Sequence, residues 1–526
     1  MGIPRHRALR RAARSRQIPV LQIDIFSGLE KQKNVLTAVN KNDIIAHMIG
    51  RYKEKDELNS LYNSDRAHLV AVYGRRRVGK TYLIDQVFKG KFTFRHAGLS
   101  PVEMEGATDS SPLKEQLKHF YNSLILHGME KGECPDNWLD MFLQLEIFLQ
   151  SKDNGERQVV FLDELPWMDT HKSGFLTAFE GFWNNWGCHR ENLMVIVCGS
   201  ATSWITDHLI NNHGGLYDRL TYEIKLSAFT LGETEEYLQY LNVKLSKYDV
   251  VQAYMVTGGI PYYLSYFKKG NSLPQCVDDL FFSKNAKLKN EFERLFYSAF
   301  TNPEMMLSII RALNTRNSGY TRQEIAEHIG YTAGGRLSAA LNALIESDFV
   351  IKYVPFGFSK RQEHYRLIDP FCLFYLKFVE NQKKLTSTFW QNNLASGQVV
   401  SWRGIAFENV CFNHIEQIKN ALKIGGVSSE ESAWSKKADD TDGTQIDLII
   451  ERKDNIVNMC EIKFYSNDFS VDKDYHKVLM NREELLAREL SPKMMIHKTL
   501  ITTVGLKYNE YSSDFDNVII LDDLFK

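Results

Sequence analysis

The sequence lacks long apolar runs, paired cysteines and an excess of charge of either sign. No apolar run approaches the ~18 residues that a membrane span requires. The seven cysteines are odd in number, scattered and never spaced as C-x-x-C, which argues against a disulfide framework and a structural zinc site and fits reduced thiols in a cytoplasm. Because the formal net charge is −1, any polyanionic partner must be bound by local basic patches.

The 526 residues are enough for three or four domains of ~150 residues each. The first 23 residues contain six arginines and no acidic residue. A disordered arm, a nucleic-acid contact and an Arg-rich transit peptide are each consistent with this composition. Since nothing in the segment is apolar enough to pack, we expect residues 1–47 to form a basic, disordered arm.

The segment LVAVYGRRRVGKTY, residues 69–82, contains a motif for phosphate binding. Residues 69–73 are apolar and β-branched, which predicts a buried strand, and helical spacing follows Thr81. Between them, GRRRVGKT has the spacing of a P-loop, in which glycines and a helix N-terminus direct backbone N–H groups at phosphate oxygens. We expect Lys80 to reach the β- and γ-phosphates of ATP and Thr81 to bind Mg²⁺. The predicted nucleotide contacts are Gly74, Arg75, Arg76, Arg77, Val78, Gly79, Lys80, Thr81 and Tyr82.

An acidic pair follows the apolar run at residues 159–162. In this Walker B arrangement, a carboxylate at the carboxyl end of a strand beside the P-loop holds Mg²⁺, and a second carboxylate orients the attacking water. We therefore assign Asp163 to the metal and Glu164 to water activation. Acidic residues after apolar strands are also common as helix caps, so the P-loop upstream is what favours the catalytic interpretation.

Two further polar residues follow the next strands. The apolar run at residues 193–200 ends at Ser200, where a hydroxyl could sense the γ-phosphate, although capping of the next helix is an equal alternative. Arg219 comes after a glycine-rich turn, from which a guanidinium could reach phosphate oxygens in the same chain or in a neighbouring subunit. An ordinary surface arginine is the alternative there.

The order IGR, GRRRVGKT, VVFLDEL, VIVCGS, LYDRL and TGGIPYYL resembles that of STAND NTPases, which are AAA-related signal-transduction ATPases, in the branch typical of archaea and bacteria. In that family a Gly-x-Pro of the lid contacts the adenine, so the resemblance assigns this contact to Gly259 and Pro261. On physical grounds alone, GGIP predicts a turn before a helix with proline at its first position. Asp218 stands where many members have glycine before the arginine.

Residues 231–300 predict a helical lid, and residues 301–380 predict a winged helix-turn-helix by the order of their elements. Thr321 and Glu324 have the spacing of a capping box at the start of the first helix. The second helix would be the one to enter a DNA major groove, but Arg336 is almost its only basic residue. DNA contact and a packing module that relays nucleotide state, or binds a protein partner, are therefore equal alternatives.

After a polar linker at residues 381–400, residues 401–526 predict a second α/β unit. An amphipathic helix carries Glu408, and a predicted hairpin places Asp447 and Glu461 on adjacent antiparallel strands, with Lys463 on the same side as Glu461. Two carboxylates that converge on a hard cation beside a lysine are suited to phosphodiester hydrolysis. Alternating charges on an exposed hairpin would produce much the same pattern.

This helix and hairpin resemble the PD-(D/E)XK fold of restriction endonucleases, which commonly closes the chain in this ATPase branch. The resemblance assigns metal binding to Asp447 and Glu461, assistance of the nucleophile to Lys463 and an additional carboxylate to Glu408. The proline of the family name is missing, since a Gln-Ile pair precedes Asp447.

The predicted fold class is α/β, with a P-loop parallel-sheet core at residues 48–230, a helical lid, a winged helix and a C-terminal restriction-endonuclease-like domain. The predicted function is a cytoplasmic, prokaryotic, Mg²⁺-dependent ATPase whose nucleotide state is relayed to a nuclease-like domain that acts on DNA. One alternative is a nucleotide-driven switch whose C-terminal domain binds DNA or protein without cleaving it, and another is a ring-forming remodeller. A homo-oligomer is compatible with each, and no membrane contact is expected.

Overall fold

The computed structural model describes residues 49–100, 111–200, 202–211, 215–216, 218–300, 302–358, 362–380, 386–436 and 444–526. The predicted basic arm therefore lies outside the described residues. Within these ranges, no helix has both the length and the apolar character that crossing a membrane requires.

Five apolar segments of the N-terminal half pair as parallel strands of one sheet, in the order β2–β3–β4–β1–β5: β1 (His68–Tyr73), β2 (Phe92–Ala97), β3 (Gln158–Asp163), β4 (Leu193–Gly199) and β5 (Tyr222–Lys225). β3 and β4 are buried along their whole length, because a parallel sheet is covered on both faces. The strands predicted at residues 69–73, 159–162 and 193–200 are confirmed. Since β3, β4 and β1 run side by side in one direction, their carboxyl ends meet at one edge.

Helices cover both faces of this sheet, and successive residues of β1 belong to two separate apolar clusters, with Val70 in one and Leu69 in the other. Ser111 and Asn137 cap the two helices between β2 and β3, since each side chain accepts a backbone N–H of the first turn. The helices of this part are α1 (Tyr52–Tyr62), α2 (Lys80–Val87), α3 (Pro112–Leu126), α4 (Trp138–Ser151), α5 (Leu165–Met168), α6 (Phe175–Asn185) and α7 (Thr202–Ile205).

A helical region follows the sheet, as the sequence predicts for the lid. It begins with a complete capping box between Thr230 and Glu233. Its helices are α8 (Leu231–Tyr240), α9 (Lys247–Thr257), α10 (Pro261–Leu264), α11 (Leu273–Val277) and α12 (Glu291–Ala299).

The next elements have the predicted helix-turn-helix and strand order: α13 (Pro303–Leu313), β6 (Tyr320–Thr321), α14 (Arg322–Ile329), α15 (Gly335–Glu346), β7 (Val350–Tyr353) and β8 (His364–Leu367). The strands pair antiparallel in the order β6–β8–β7, and the predicted capping box of Thr321 and Glu324 is present. The second helix, α15, packs against α7 at the edge of the first sheet. Its first residues, including Arg336, are exposed.

The C-terminal part has a mixed sheet between helices. The elements are α16 (Pro370–Phe378), α17 (Phe389–Asn393), α18 (Gly397–Asn413), α19 (Ile415–Ala421), β9 (Ser429–Lys436), β10 (Thr444–Arg452), β11 (Ile456–Lys463), α20 (Lys473–Glu489), β12 (Met495–Thr502) and β13 (Asn517–Ile519). The sheet order is β13–β12–β11–β10–β9; β9, β10 and β11 are antiparallel neighbours, whereas β11, β12 and β13 are parallel. The predicted hairpin is β10–β11, and β9 is a strand that the sequence did not indicate.

Two features of the packing bear on the predicted division into domains, which stays a prediction. Helix α18 begins at Gly397, inside the predicted linker, and Trp390 of the same linker is 3% exposed and packs on Phe374 and Trp402. One apolar cluster also continues from Leu58 through the helical region and winged helix to the C-terminal helices. The described residues from Ile49 onward accordingly form one compact unit.

Candidate functional site

The phosphate loop, residues 74–81, joins β1 to α2 through backbone conformations that favour glycine. Gly74 and Gly79 have φ of 133° and 95°, and a Cβ at Gly74 would lie 2.3 Å from the carbonyl oxygen of Leu226. Lys80 is 6% exposed and its Nζ donates to the carbonyl oxygens of Gly74 at 2.9 Å and Arg75 at 3.0 Å. The ammonium is therefore held inside the curve of the loop, where a phosphate can replace these carbonyls as its acceptor.

Thr81 and Asp163 meet at the shared edge of the sheet. The Thr81 hydroxyl donates to Asp163 Oδ2 at 2.9 Å, and Asp163 is 7% exposed. A hydroxyl and a carboxylate oxygen are the donors that Mg²⁺ accepts beside substrate phosphates, so these two residues fit the predicted metal site.

Glu164 and Ser200 are brought together at the ends of neighbouring strands. Glu164 adopts a left-handed conformation with φ of 47°, which is strained for a residue other than glycine. Its carboxylate accepts hydrogen bonds from the backbone N–H of Ser200 at 2.9 Å and from the Ser200 hydroxyl at 2.9 and 3.0 Å. Ser200 thus fixes the orientation of the carboxylate that the sequence assigns to water activation.

Two arginines of the phosphate loop bind carboxylates from distant parts of the chain. Arg75 is buried and forms an ion pair with the buried Asp369, while Arg77 pairs with Glu291 at 2.5 Å and lies over the ring of Tyr262 at 4.0 Å. These side chains therefore connect the loop to the start of α16 and to the helical region.

The other predicted nucleotide contacts differ in their exposure. Arg76 is half-buried, Val78 is 1% exposed within an apolar cluster, and Tyr82 is 54% exposed on α2. Because the Val78 side chain packs in the core, only its backbone is left for a phosphate contact.

The predicted adenine turn has the geometry that its glycine requires. Gly259 has a φ of 65°, and a Cβ there would lie 2.4 Å from the carbonyl oxygen of Phe229. Pro261 is the first residue of α10, as predicted. A Cβ at the neighbouring Gly258 would meet Pro370 at 3.3 Å, so this turn also borders the start of α16.

Arg219 is exposed in the turn before β5, and its backbone N–H donates to the carbonyl of Leu216. Asp218, which precedes it, has a positive φ of 56°, a conformation that glycine adopts without strain. Among the residues described here, no hydrogen bond or ion pair connects Arg219 with the phosphate loop.

A second site, formed by Asp447, Glu461, Lys463 and Glu408, lies in the C-terminal sheet. The register that places Leu448 opposite Cys460 also places Asp447 opposite Glu461. Lys463 Nζ lies 3.2 Å from Glu461 Oε2 and 3.9 Å from Asp447 Oδ2, so the structure brings these three side chains together.

Glu461 is completely buried, and both of its oxygens already have partners. Arg482 of α20 binds Oε1, while Oε2 accepts the hydroxyl of Tyr475 at 2.6 Å and the ammonium of Lys463. Within the described ranges, no group of three His, Cys, Asp or Glu side chains is arranged to hold a metal ion. A cation at Glu461 would compete with these three donors for the lone pairs of one carboxylate.

Glu408 joins the second site from α18. Its Oε2 accepts the amide N–H of Asn317 at 2.8 Å and lies 3.6 Å from the guanidinium of Arg366. Burial, and then the charge of Asp447, raise the pKa of Glu408 to about 7. Burial likewise raises the pKa of Asp447.

A cleft of about 50 Å³ lies between the β7–β8 hairpin and strands β9 and β10. Tyr353, His364 and Arg366 line it on one side, and Trp434, Gln445 and Asp447 on the other. That volume holds a few water molecules.

The sequence did not predict the partners of these residues. Asp369 and Glu291 hold the arginines of the phosphate loop, and Arg366 and Arg482 bind carboxylates of the second site. The Asp-Pro pair at residues 369–370 was the available signal in the sequence, because Asp369 caps α16 and Pro370 is the first residue of that helix.

Residues 48–267 match a family model described as an ATPase domain predominantly from Archaea. The uncharacterized protein MJECL04 of Methanocaldococcus jannaschii is 24% identical over 440 residues, covering 82% of this chain and 90% of that protein. The uncharacterized ATP-binding protein MJ0423 of the same organism is 40% identical over 47 residues, covering 9% of this chain and 80% of that protein.

Solved structures of similar outline include the Walker-type ATPase PABY2304 of Pyrococcus abyssi, with a TM-score of 0.44, 18% identity, and coverage of 65% of this chain and 99% of that one. The Aeropyrum pernix ORC2 protein gives a TM-score of 0.40 and 15% identity, with coverage of 68% of this chain and 98% of that one. The family match includes the phosphate loop, Asp163 and the Gly259 turn. Residues 48–267 therefore form a P-loop ATPase domain of the type described as predominantly from Archaea.

Proposed function

We propose that this chain is a Mg²⁺-dependent ATPase whose nucleotide state controls a C-terminal nuclease-like domain that acts on DNA. The single observation that supports the second half is the convergence of Asp447, Glu461 and Lys463 on neighbouring strands, with Glu408 beside them. DNA is the proposed partner. A homo-oligomer, in which Arg219 reaches the phosphates of a neighbouring subunit, is part of the same proposal.

ATP hydrolysis is assigned to residues at the edge of the first sheet. Lys80 binds the terminal phosphates, Glu164 orients the attacking water, and Ser200 holds Glu164 in place. Thr81 and Asp163 would hold Mg²⁺, which when bound offsets negative charge on the phosphate oxygens. Gly259 and Pro261 border the adenine.

The nuclease-like assignment is supported by the order of elements and by the register. A helix with Glu408 precedes three antiparallel strands, a crossover helix and a parallel strand, and the β10–β11 pair carries the remaining residues. The register of β9 and β10 shifts between Ile446 and Ile449, so Asp447 lies in a bulge. Bulges are frequent beside active sites, because they change the direction of a side chain.

A second function, a switch that binds DNA or protein without cleaving it, is favoured by the charges around the same residues. Lys463, Arg482 and Arg366 face the three carboxylates of the second site, so the cluster is formally neutral. Both oxygens of Glu461 are occupied. In this arrangement the second site does not fit a metal ion, and cleavage would require Glu461 to exchange partners.

A cleavage assay distinguishes the two functions. Linear, circular and single-stranded DNA are incubated with the purified chain and Mg²⁺ or Mn²⁺, with and without ATP. Cleavage that is lost in Asp447→Asn and Lys463→Met, while both variants still hydrolyse ATP, supports the nuclease. If no DNA is cleaved under any condition and the substitutions change nothing, the nuclease assignment is wrong and the switch stands.

A further inference from the structure

A buried ion pair joins the phosphate loop to the end of the winged helix. Arg75 and Asp369 are 4% and 2% exposed, and the Arg75 guanidinium also lies over the ring of Phe349 at 4.5 Å. A buried pair holds its two partners together firmly, because separating them leaves an uncompensated charge. The position of Asp369 is therefore tied to that of the loop.

Three residues before Asp369, the chain binds the second site. Arg366 is 3% exposed and donates to Asn409 at 2.8 Å and Asn317 at 3.2 Å, while its guanidinium lies 3.6 Å from Glu408. The side chains of one short segment, residues 366–369, therefore contact both the phosphate loop and the second site.

This segment has little freedom to bend. Arg366 is paired opposite Ile351 within the β7–β8 hairpin, and Asp369 accepts the N–H of Cys372 at 2.7 Å as the cap of α16. The strand thus passes into the helix with only a two-residue interval between Arg366 and Asp369. A displacement at one end is transmitted to the other, since packed elements move as rigid bodies.

Arg75 connects the Lys80 ammonium to this segment. Lys80 donates to the carbonyl of Arg75, and the side chain of the same Arg75 holds Asp369. A phosphate that takes the Lys80 ammonium would deprive the Arg75 carbonyl of this donor.

We propose that Asp369 is a positioning residue that links the phosphate loop to the second site, so that nucleotide binding loosens the hold of Arg366 on Glu408. This proposal rests on the proposed function, because the connection through Asp369 would regulate the second site. The same movement would displace the β7–β8 side of the cleft together with residues 366–369 and so widen the cleft beside Asp447. By thermodynamic reciprocity, a ligand of the second site changes nucleotide affinity by the same factor.

The test measures hydrogen–deuterium exchange with a non-hydrolysable ATP analogue and Mg²⁺ at saturation, in the absence of DNA. In the wild type we expect the analogue to raise exchange of peptides covering residues 405–412 and 445–451 by about fivefold or more. Asp369→Asn keeps the oxygen that caps α16 and removes the charge that holds Arg75. In this variant the ratio of exchange with the analogue to exchange without it should therefore fall to about one.

Asp348→Asn is the matched control. Asp348 also joins the winged helix to the first sheet, through Lys225 at 2.6 Å and Ser227 at 3.0 Å, but it does not contact the phosphate loop. This variant should respond as the wild type does. If Asp348→Asn loses the response together with Asp369→Asn, general loosening of the interface explains both results and the specific link is refuted.

Arg366→Gln interrupts the segment at its other end and must also abolish the response. An unresponsive wild type, or a responsive Asp369→Asn or Arg366→Gln, overturns the proposal. Because no DNA is present, a response without DNA cleavage leaves the link intact and refutes only the nuclease, whereas cleavage without a response refutes only the link.

Discussion

Replacement of Glu408 by glutamine should remove a pH-dependent loss of stability. The pKa of Glu408 rises from 4.5 to about 7, because the carboxyl is buried and lies beside Asp447. Each pKa unit corresponds to ~1.4 kcal/mol, so the shift amounts to about 3 kcal/mol. Since the folded protein binds this proton more tightly than the unfolded chain, the contribution is fully present below pH 4.5 and is lost as the pH rises through about 7.

Urea denaturation of the wild type and Glu408→Gln in the presence of EDTA measures this difference. Glutamine keeps an oxygen that can accept the N–H of the Asn317 side chain, but the glutamine side chain does not ionise. The free energy of unfolding of the wild type, relative to the variant, should fall by about 3 kcal/mol from pH 4.5 to above pH 7. Glu416→Gln, at a carboxylate whose side chain is 78% exposed, controls for the loss of one charge. A pH-independent difference between wild type and Glu408→Gln would refute the reasoning.

Three further outcomes follow from individual contacts. Lys80→Ala should weaken ATP binding ~10- to 100-fold in calorimetry, because a charged hydrogen bond contributes ~1.5–3 kcal/mol; unchanged affinity would contradict the loop assignment. Gly259→Ala should lower the unfolding temperature more than Gly270→Ala, since both have positive φ but only the first Cβ meets an oxygen at 2.4 Å; equal losses would exclude the clash. Arg482→Met should lower the free energy of unfolding by ~3–5 kcal/mol, because it leaves the buried Glu461 carboxylate without its charged partner. The double variant Arg482→Met, Glu461→Gln should recover most of this loss, and a double variant as unstable as the single one would contradict the ion-pair explanation.

The phosphate-binding edge is the part of the structure that follows most directly from the sequence. The apolar runs that precede the phosphate loop and Asp163 specify buried strands, and parallel strands bring their carboxyl ends to one edge. Gly74 and Gly79 specify the curve of the loop because they adopt positive φ without strain. The role of each side chain toward ATP stays a prediction.

The C-terminal hairpin was predictable for the same local reason, since period-two alternation fixes which residues of β10 and β11 share a face. The burial of Glu461 was not predictable. Its main partner, Arg482, lies on a helix beyond the hairpin, and an acidic residue in a strand carries no local sign of being enclosed. Strand β9 was missed because SEESAWSK is polar at most positions and gives weak alternation.

The sequence by itself determined the local elements and the two motif clusters, because spacing, glycine conformations and strand alternation act over a few residues. Only the tertiary structure decided that Asp369 binds Arg75 and that Arg366 binds Glu408, since these partners are far apart along the chain. The physical reason is desolvation: a charge enclosed by a shared apolar core must be paired there, and the partner is whichever residue the packing brings within reach.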